Sequence, residues 1–308
     1  MKQLSATPSI TIIGMGALGI LYGDIFTQKL GRESVTFLAD KERIHKYKTE
    51  SVYCNGKLCD FQMASKAEPA DFLIFAVKGT ALEEAIELSR PAVNENTIIL
   101  SLLNGISSEE IIASRMKQGH IIHCIAQGMD AVKLGNELTY AHIGELRIGT
   151  PESSKRPYLE QVETLLHTAG IPCIVEEDII HRLWGKWMLN VGVNQVVMVS
   201  EGTYKTVQEA GKQRDMMIAA MEEVLNLSIC ANTGVTRDDL NNYVSLIDTL
   251  NPDGMPSMRQ DGILKRRTEV DLFAGTVITM AKEYGLDVPV NQMLYDKIKE
   301  MEAEMPHN

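Results

Sequence analysis

The chain is 308 residues long, 44% hydrophobic and 23% charged, with a formal net charge of −11. That length supports two domains with cores of their own, and the composition is that of a folded globular protein. The acidic excess, with no basic stripe along it, excludes nucleic acid and anionic membrane as main partners, so an anionic ligand must rely on a few local cations and on backbone N–H groups.

Ile10-Thr11-Ile12-Ile13 reads as a buried strand and runs straight into Gly14-Met15-Gly16-Ala17-Leu18-Gly19, with a segment able to form a helix from Ile20 to Leu30. This is the spacing G-x-G-x-x-G between a strand and a helix. Gly14 permits the tight turn, Gly16 lets a pyrophosphate approach the backbone, and Gly19 allows helix and strand to pack closely. The helix start, at Ala17 and Leu18, offers unpaired N–H groups and partial positive charge to phosphates. The alternative is a glycine-rich turn without a ligand. The apolar run Ile10 to Phe26 is not a signal peptide, because the glycines and Asp24 interrupt it and no clean cleavage site follows. No stretch reaches the roughly 18 apolar residues a membrane span needs. Five scattered cysteines, an odd number, fit reduced thiols, and the expected location is cytoplasmic. His120, His123 and Cys124 lie close together, but a strand would alternate them between faces, so no metal site is expected there.

Ser34 to Ala39 is the second strand, followed by Asp40-Lys41-Glu42-Arg43. Two short apolar runs flank Asn55-Gly56 between Val52 and Phe61, a hairpin signal. Asp71 to Val77 is a strand ending in Lys78, and a helix from about Ala81 to Ser89 leads to Pro91. Thr97 to Ser101 is a strand ending near Asn104-Gly105, and Ser107-Ser108-Glu109-Glu110 starts a helix. Strands are expected at His120 to Ile125 and around Leu138 to Ile148, a helix opened by Pro151 and reaching about Thr168, and a last strand at Ile171 to Val175. The alternation predicts a doubly wound parallel sheet over residues 1–177 and a helical domain over 178–308.

Lys78 and Asn104 each follow a predicted strand. Ligands of doubly wound sheets bind outside the carboxyl ends of the strands, so Gly14, Lys78 and Asn104 are expected to converge on one crevice. A solvated lysine and a plain Asn-Gly turn are the alternatives. In the helical half, Lys186, Asn190 and Asn194 are spaced four apart and share one face of a helix that is otherwise apolar. Burying three polar groups without partners is costly, and a cleft admitting a polar substrate meets that need. A structural hydrogen-bond network, with the lysine reaching solvent, meets it too. Burial disfavours the charged form of a lysine, which lets it hand a proton to a developing alkoxide. Glu269, in a segment (Thr268 to Ala281) that reads as helix, has the spacing of a surface carboxylate.

Taken in order, Gly14-Met15-Gly16-Ala17-Leu18-Gly19, Val77-Lys78, Asn104-Gly105, Leu183-Trp184-Gly185-Lys186 with Asn190 and Asn194, Ser257-Met258-Arg259-Gln260-Asp261 and Thr268-Glu269-Val270-Asp271 resemble the ketopantoate reductase (2-dehydropantoate 2-reductase) family over nearly the whole chain. The resemblance implies a Rossmann-type domain followed by an all-helical domain like that of 6-phosphogluconate dehydrogenase. It also implies NADPH-dependent reduction of 2-dehydropantoate to pantoate, on the route to pantothenate and coenzyme A. Residue by residue, it makes Lys186 the general acid, Glu269 a catalytic carboxylate that also lies at the cofactor, and Asn104, Asn190, Asn194 and Ser257 the groups that hold the keto acid. The glycine motif, Lys78 and Asn104 would meet the cofactor.

One position departs from the family. Where many members carry an arginine that pairs with the adenosine 2′-phosphate, this chain has Asp40, which suits a free ribose 2′-hydroxyl. Lys41 and Arg43 are near enough to restore NADP binding. The charge pattern leaves NADP against NAD open, and NADP is the expectation from the family. The expected partners are a small-molecule 2-keto acid and, as an option, a second copy in a homodimer. A 3-hydroxyacid dehydrogenase and a non-catalytic NADP(H) sensor are the competing readings.

Overall fold

The computed structural model describes residues 7–305, and the chain divides into two units, Met1–Ile179 and Ile180–Asn308. The first holds β1 (Ile10–Ile13), α1 (Ala17–Leu30), β2 (Val35–Leu38), α2 (Lys41–Glu50), β3 (Tyr53–Cys54), β4 (Lys57–Leu58), β5 (Gln62–Ala64), β6 (Phe72–Phe75), α3 (Leu82–Ser89), β7 (Ile98–Ser101), α4 (Ser108–Arg115), β8 (His120–Met129), β9 (Val132–Leu134), β10 (Glu137–Thr139), β11 (Ile143–Gly149), α5 (Arg156–Ala169) and β12 (Cys173–Val175). Then α6 (Ile179–Val199) leads into the second unit, with α7 (Lys205–Gln208), α8 (Lys212–Cys230), α9 (Arg237–Asp248), α10 (Ser257–Ile263), α11 (Ala274–Tyr284) and α12 (Pro289–Ala303). No helix among the described residues is long and apolar enough to cross a membrane.

Strands β1, β6 and β7 are buried along their whole length, as continuous apolar runs must be when helices cover both faces of a sheet. Their side chains alternate between two cores. Ile10, Ile12, Phe72, Ile74, Ile98 and Leu100 meet α1 and α5 residues such as Leu21, Phe26, Val162 and Leu165. Ile13, Leu73, Phe75 and Ile99 meet Leu82, Ile86 and Ile112 of α3 and α4. The strand order is β12-β11-β8-β7-β6-β1-β2-β5. Six of these, β5-β2-β1-β6-β7-β8, give the order 3-2-1-4-5-6 of a Rossmann-type fold, whose direction reverses between β1 and β6.

The expected doubly wound sheet is present and mostly parallel, with one antiparallel pair. β11 runs antiparallel to β8 over Gly149↔His123 to Ile143↔Met129, and β12 is parallel to β11. No helix separates β8 from β11 to bring the chain back across the sheet, so the return must be antiparallel. The intervening chain instead supplies β9 and β10 to a second sheet, β4-β3-β10-β9, completed by β3 and β4 from the chain between α2 and β5. Its β3–β4 turn has Asn55 at φ 47° and Gly56 at φ 74°, the left-handed pair that a type I′ hairpin requires. The Asn55 side chain also donates to Tyr140 O (3.0 Å) and accepts from Tyr140 N (2.9 Å), bonding to the chain just beyond β10.

One helix, α2, has no counterpart in the sequence expectation, and two element boundaries differ from it. α2 has a mean composition too polar for an apolar stripe and buries no residue, and its start is set by the Asp40 side chain accepting from Arg43 N at 2.8 Å. α5 begins at Arg156 with Pro157 in its first turn, five residues after Pro151. Glu269 is not helical: it precedes a single 3₁₀ turn, Val270–Leu272, and α11 starts only at Ala274, after Phe273 at φ −101°, ψ −96°. The cause is local competition, since Thr268 Oγ1 accepts from Val270 N (3.2 Å) while Glu302 takes the backbone and hydroxyl protons of Thr268.

In the second unit the long helix α6 is buried on most sides, including Trp187, Met188, Val191 and Val196. A Cβ at Gly192 would lie 2.5 Å from Met221 Cγ, so α6 and α8 approach each other there. Glu223 of α8 is 8% exposed. It accepts from Val290 N (2.8 Å), Asn291 N (2.9 Å) and Asn291 Nδ2 (2.7 Å), capping α12 from inside the core. Asn291 in turn accepts from Gln195 Nε2 of α6 at 3.0 Å. Removing an acceptor that serves three buried donors leaves them unpaired. Glu223→Ala is therefore expected to cost about 3 kcal/mol of stability in urea unfolding, with Glu223→Gln losing less because one oxygen still accepts.

Candidate functional site

At the carboxyl end of β1 the backbone must turn sharply and then start a helix against the strand it has left. Gly14 has φ +104°, and a Cβ there would be 2.6 Å from the carbonyl carbon of Ala76 and 2.9 Å from Val77 Cγ1. A Cβ on Gly19 would run into the carbonyl oxygen of Gly14 and lie 3.3 Å from Ala76 Cβ. The fold itself thus demands glycine at both positions. Gly16 is different: a Cβ there meets nothing nearer than Ala76 O at 3.6 Å, an ordinary contact. Its φ of −73° suits any residue. The fold gives no reason for the missing side chain at Gly16, and the space in front of it fits a phosphate group lying against the backbone.

The helix behind this space is equipped for an anion. Gly16 is the N-cap of α1 and provides no side-chain cap, and the first turn carries no acidic residue. Ala17 and Leu18 open the helix, where backbone N–H groups lack intrahelical acceptors and the dipole is positive. Lys78 follows β6 as an exposed residue before a short 3₁₀ turn, Gly79–Ala81. Asn104 follows β7 in a bend beside Gly105, which has φ 97°. Gly14, Lys78 and Asn104 therefore stand past the ends of three adjacent strands, β1, β6 and β7.

Asp40 lies two residues beyond β2. One carboxylate oxygen caps α2, and the other is 3.3 Å from Arg43 Nε. Arg43 also approaches Glu84 Oε2 at 3.5 Å, so its charge is shared between two acids. Lys41, exposed in the first turn of α2, is the other nearby cation named by the sequence. This point past β2 thus gathers two carboxylates, Asp40 and Glu84, as well as two cations, Lys41 and Arg43.

In the second unit, Lys186, Asn190 and Asn194 lie on successive turns of α6. Asn194 is buried; its Oδ1 accepts from Ser257 Oγ and from Met258 N, both at 3.3 Å, at the start of α10. A backbone N–H can only donate, so the Met258 contact fixes which end of the Asn194 amide is oxygen. Its Nδ2 then donates to Asn190 Oδ1 at 3.3 Å. With that oxygen used, Asn190 turns its own NH₂ away from Asn194 as a donor. The chain Ser257–Asn194–Asn190 thus joins three of the expected substrate groups and presents hydrogen-bond donors, the right polarity for a carboxylate or carbonyl oxygen.

Glu269 sits in a segment fixed on both sides. Thr268 donates its N–H and hydroxyl to Glu302 Oε1, each at 2.7 Å. Asp271 accepts from Tyr295 (2.8 Å) and pairs with Lys299 (2.8 Å). Leu272 O accepts from the Trp187 indole at 2.9 Å, one residue beyond Lys186. The turn that carries Glu269 is therefore held to the helix that carries Lys186. Sequence reasoning missed these supports. Trp187 read only as apolar bulk, and nothing in the sequence joins Glu302 to Thr268, 34 residues away.

The His120, His123 and Cys124 group has no metal-like arrangement. His120 stacks on Tyr158 with ring centroids 3.5 Å apart, and burial pushes His123 down to about 4. No cluster of three potential ligands occurs among the described residues.

The sequence profile described as Ketopantoate reductase PanE/ApbA matches residues 10–153, and its C-terminal counterpart matches residues 178–302. A 2-dehydropantoate 2-reductase of Pyrococcus horikoshii is 27% identical over 304 residues, covering 96% of this chain and 97% of that protein. The crystal structure of a PanE/ApbA family ketopantoate reductase from Ralstonia eutropha JMP134 is similar with a TM-score of 0.84 at 21% identity, covering 97% of this chain and 100% of that one. A D-mandelate dehydrogenase in a ternary structure with NADH and anilino(oxo)acetate is similar with a TM-score of 0.86 at 19% identity, covering 96% and 99%. With both profiles matched in order and together spanning most of its length, the chain belongs to the ketopantoate reductase PanE/ApbA family.

Proposed function

We propose that this chain reduces a small 2-keto acid with a nicotinamide cofactor, and that the substrate is 2-dehydropantoate and the product pantoate. The observation that carries this reading is the polar line on α6. Lys186, Asn190 and Asn194 follow one another on a helix otherwise packed with apolar side chains, and Asn194 is linked to Ser257. Reduction of a ketone needs a proton for the carbonyl oxygen and donors for the neighbouring carboxylate. Lys186 supplies the proton as general acid, and the ammonium stabilises the oxyanion as it forms. Asn190, Asn194 and Ser257 orient the carboxylate, and Asn104 and Glu269 complete the substrate contacts. Trp187, Thr268 and Glu302 hold these groups in place. Gly14, Gly16, Ala17, Leu18 and Gly19 would hold the pyrophosphate, Asp40, Lys41 and Arg43 the adenosine ribose, and Lys78 the cofactor side of the crevice. The bound nicotinamide supplies hydride to the carbonyl carbon.

For the cofactor, NADPH follows from the family, while the Asp40 carboxylate suits a free 2′-hydroxyl. Asp40→Arg would remove the acid and add a phosphate partner. The ratio of NADPH to NADH in kcat/KM is expected to rise at least about tenfold in this variant, and an unchanged ratio would mean that residue 40 does not meet the ribose.

Loss of the general acid should be specific. Lys186→Ala is expected to lower kcat by about 10²- to 10⁴-fold, with cofactor affinity unchanged by fluorescence titration. A sensor of NADP(H) would show no turnover to lose, and a 3-hydroxyacid dehydrogenase would prefer 3-hydroxy acids in the same absorbance assay run with ketopantoate and other 2-keto acids.

The glycine motif separates binding from folding. Gly16→Val is expected to abolish cofactor binding while leaving the unfolding midpoint near wild type, because a Cβ at that position finds room. Gly19→Ala meets backbone and should lower stability by roughly 2 kcal/mol or more. Equal loss of stability in the two variants would argue against a ligand site at Gly16.

A further inference from the structure

The bend that carries Asn104 spans residues 102–107, between the end of β7 and the first turn of α4. Its two ends are tied together. Ser101 Oγ, at the end of β7, donates to Ser108 Oγ at 2.8 Å. Leu103 N, inside the loop, donates back to Ser101 Oγ at 3.3 Å. Ser108 Oγ passes its own proton to Glu109 Oε2 at 2.7 Å. The Glu109 carboxyl also accepts from its own backbone N–H and from that of Cys124 in β8. Ser101 is 1% exposed, Ser108 4% and Glu109 5%. A buried acid at the start of a helix, whose donors are one hydroxyl and two backbone N–H groups, is an expensive thing to keep if its only task is packing.

Resting on the reductase reading above, we propose that Glu109 is a positioning residue: through Ser108 and Ser101 its carboxyl fixes the loop that presents Asn104 to the substrate and cofactor. Three donors converge on this one group, so it works as an acceptor. The carboxylate takes all three, whereas the neutral acid must give up one lone pair to its own proton. Burial pushes the carboxyl up to about 7, and Glu110 beside it on α4 adds to the rise, while the hydrogen bonds from Ser108, Glu109 N and Cys124 N oppose it. Cys124 of β8 meets it through its backbone N–H, and Ser101 of β7 reaches it only through Ser108. Because burial outweighs these bonds, opening the loop to water lets the carboxyl ionise more readily, so loss of the proton favours opening and the loop loosens as pH rises through neutrality.

Amide hydrogen exchange of the full-length chain at pH 6, 7 and 8, corrected for the intrinsic pH dependence of exchange, reads the loop without any need for turnover. Protection of residues 102–107 is expected to fall at least threefold between pH 6 and 8 in the wild type. In Glu109→Gln it should be flat with pH. In Ser108→Ala the fall should move to higher pH, and Ser108→Thr should restore it. Wild-type protection and slope in Glu109→Gln would overturn the proposal, as would an unshifted slope in Ser108→Ala, which also decides the matter if Glu109→Gln does not fold. In steady-state kinetics Glu109→Gln should lose about tenfold in kcat/KM for the keto acid with cofactor affinity retained. A wild type that turns over no 2-keto acid would sink the reductase reading, while the exchange data would still decide the role of Glu109 in the loop.

Discussion

The first unit depends on one close approach. α1 can lie against β1 only because Gly19 has no side chain to strike the carbonyl of Gly14, and Gly14 can turn only because φ +104° is open to it. That contact puts the start of α1 past the end of β1, next to Ala76 just beyond the neighbouring strand β6. The sheet reverses its order between these two strands, so the crevice there has no connection crossing over it. The positive end of a helix, an uncapped first turn and a glycine with space before it then coincide for a single geometric reason. The proposed anion site would be a consequence of strand order and one helix–strand contact, and it would need no excess of basic residues in a chain of net charge −11.

The second unit meets a different constraint. A helix as buried as α6 makes each polar side chain find a partner. Gln195 finds Asn291 and the Val191 carbonyl, and Asn291 finds Glu223, so this group is satisfied within the core. Asn190 and Asn194 are satisfied differently. Their amides form a line with a defined direction, set at one end by the Met258 N–H, and that direction leaves the Asn190 amide nitrogen as a donor at the other end. Adjacent asparagine and glutamine residues on one helix are thus satisfied in different ways, one inside a closed core network and one in a directed line.

Much of this was legible in residue patterns. Unbroken apolar runs gave the buried strands, the glycine spacing gave the turn after β1, Asn55-Gly56 gave the hairpin, and four-residue spacing gave the polar face of α6. Three things were not legible, each for a physical reason. α2 is held by its cap and has no apolar face, so periodicity is blind to it. The antiparallel β11 follows from the missing helix between it and β8, which matters only once both strands are known to share a sheet. The turn at Glu269 looks helical because its residues are compatible with helix, and what prevents it is Glu302, more than 30 residues away, drawing Thr268 into other bonds. Local propensity is overridden here by contacts between residues far apart in the chain.

The same distinction bears on Asp40. Read alone, an acid at the end of the second strand selects a free ribose hydroxyl. In the structure that acid already has two tasks, capping α2 and facing Arg43, which Glu84 also attracts. Exposed ion pairs of this kind contribute little to stability, so breaking them to admit a ligand costs little. Arg43 can leave two carboxylates for a phosphate more easily than Asp40 can leave the helix it caps, because the cap satisfies a backbone donor that has no other acceptor in the helix. The acid is the fixed element and the arginine the adjustable one, and under the proposed cofactor reading discrimination between NADPH and NADH would turn on residue 40 more than on residue 43.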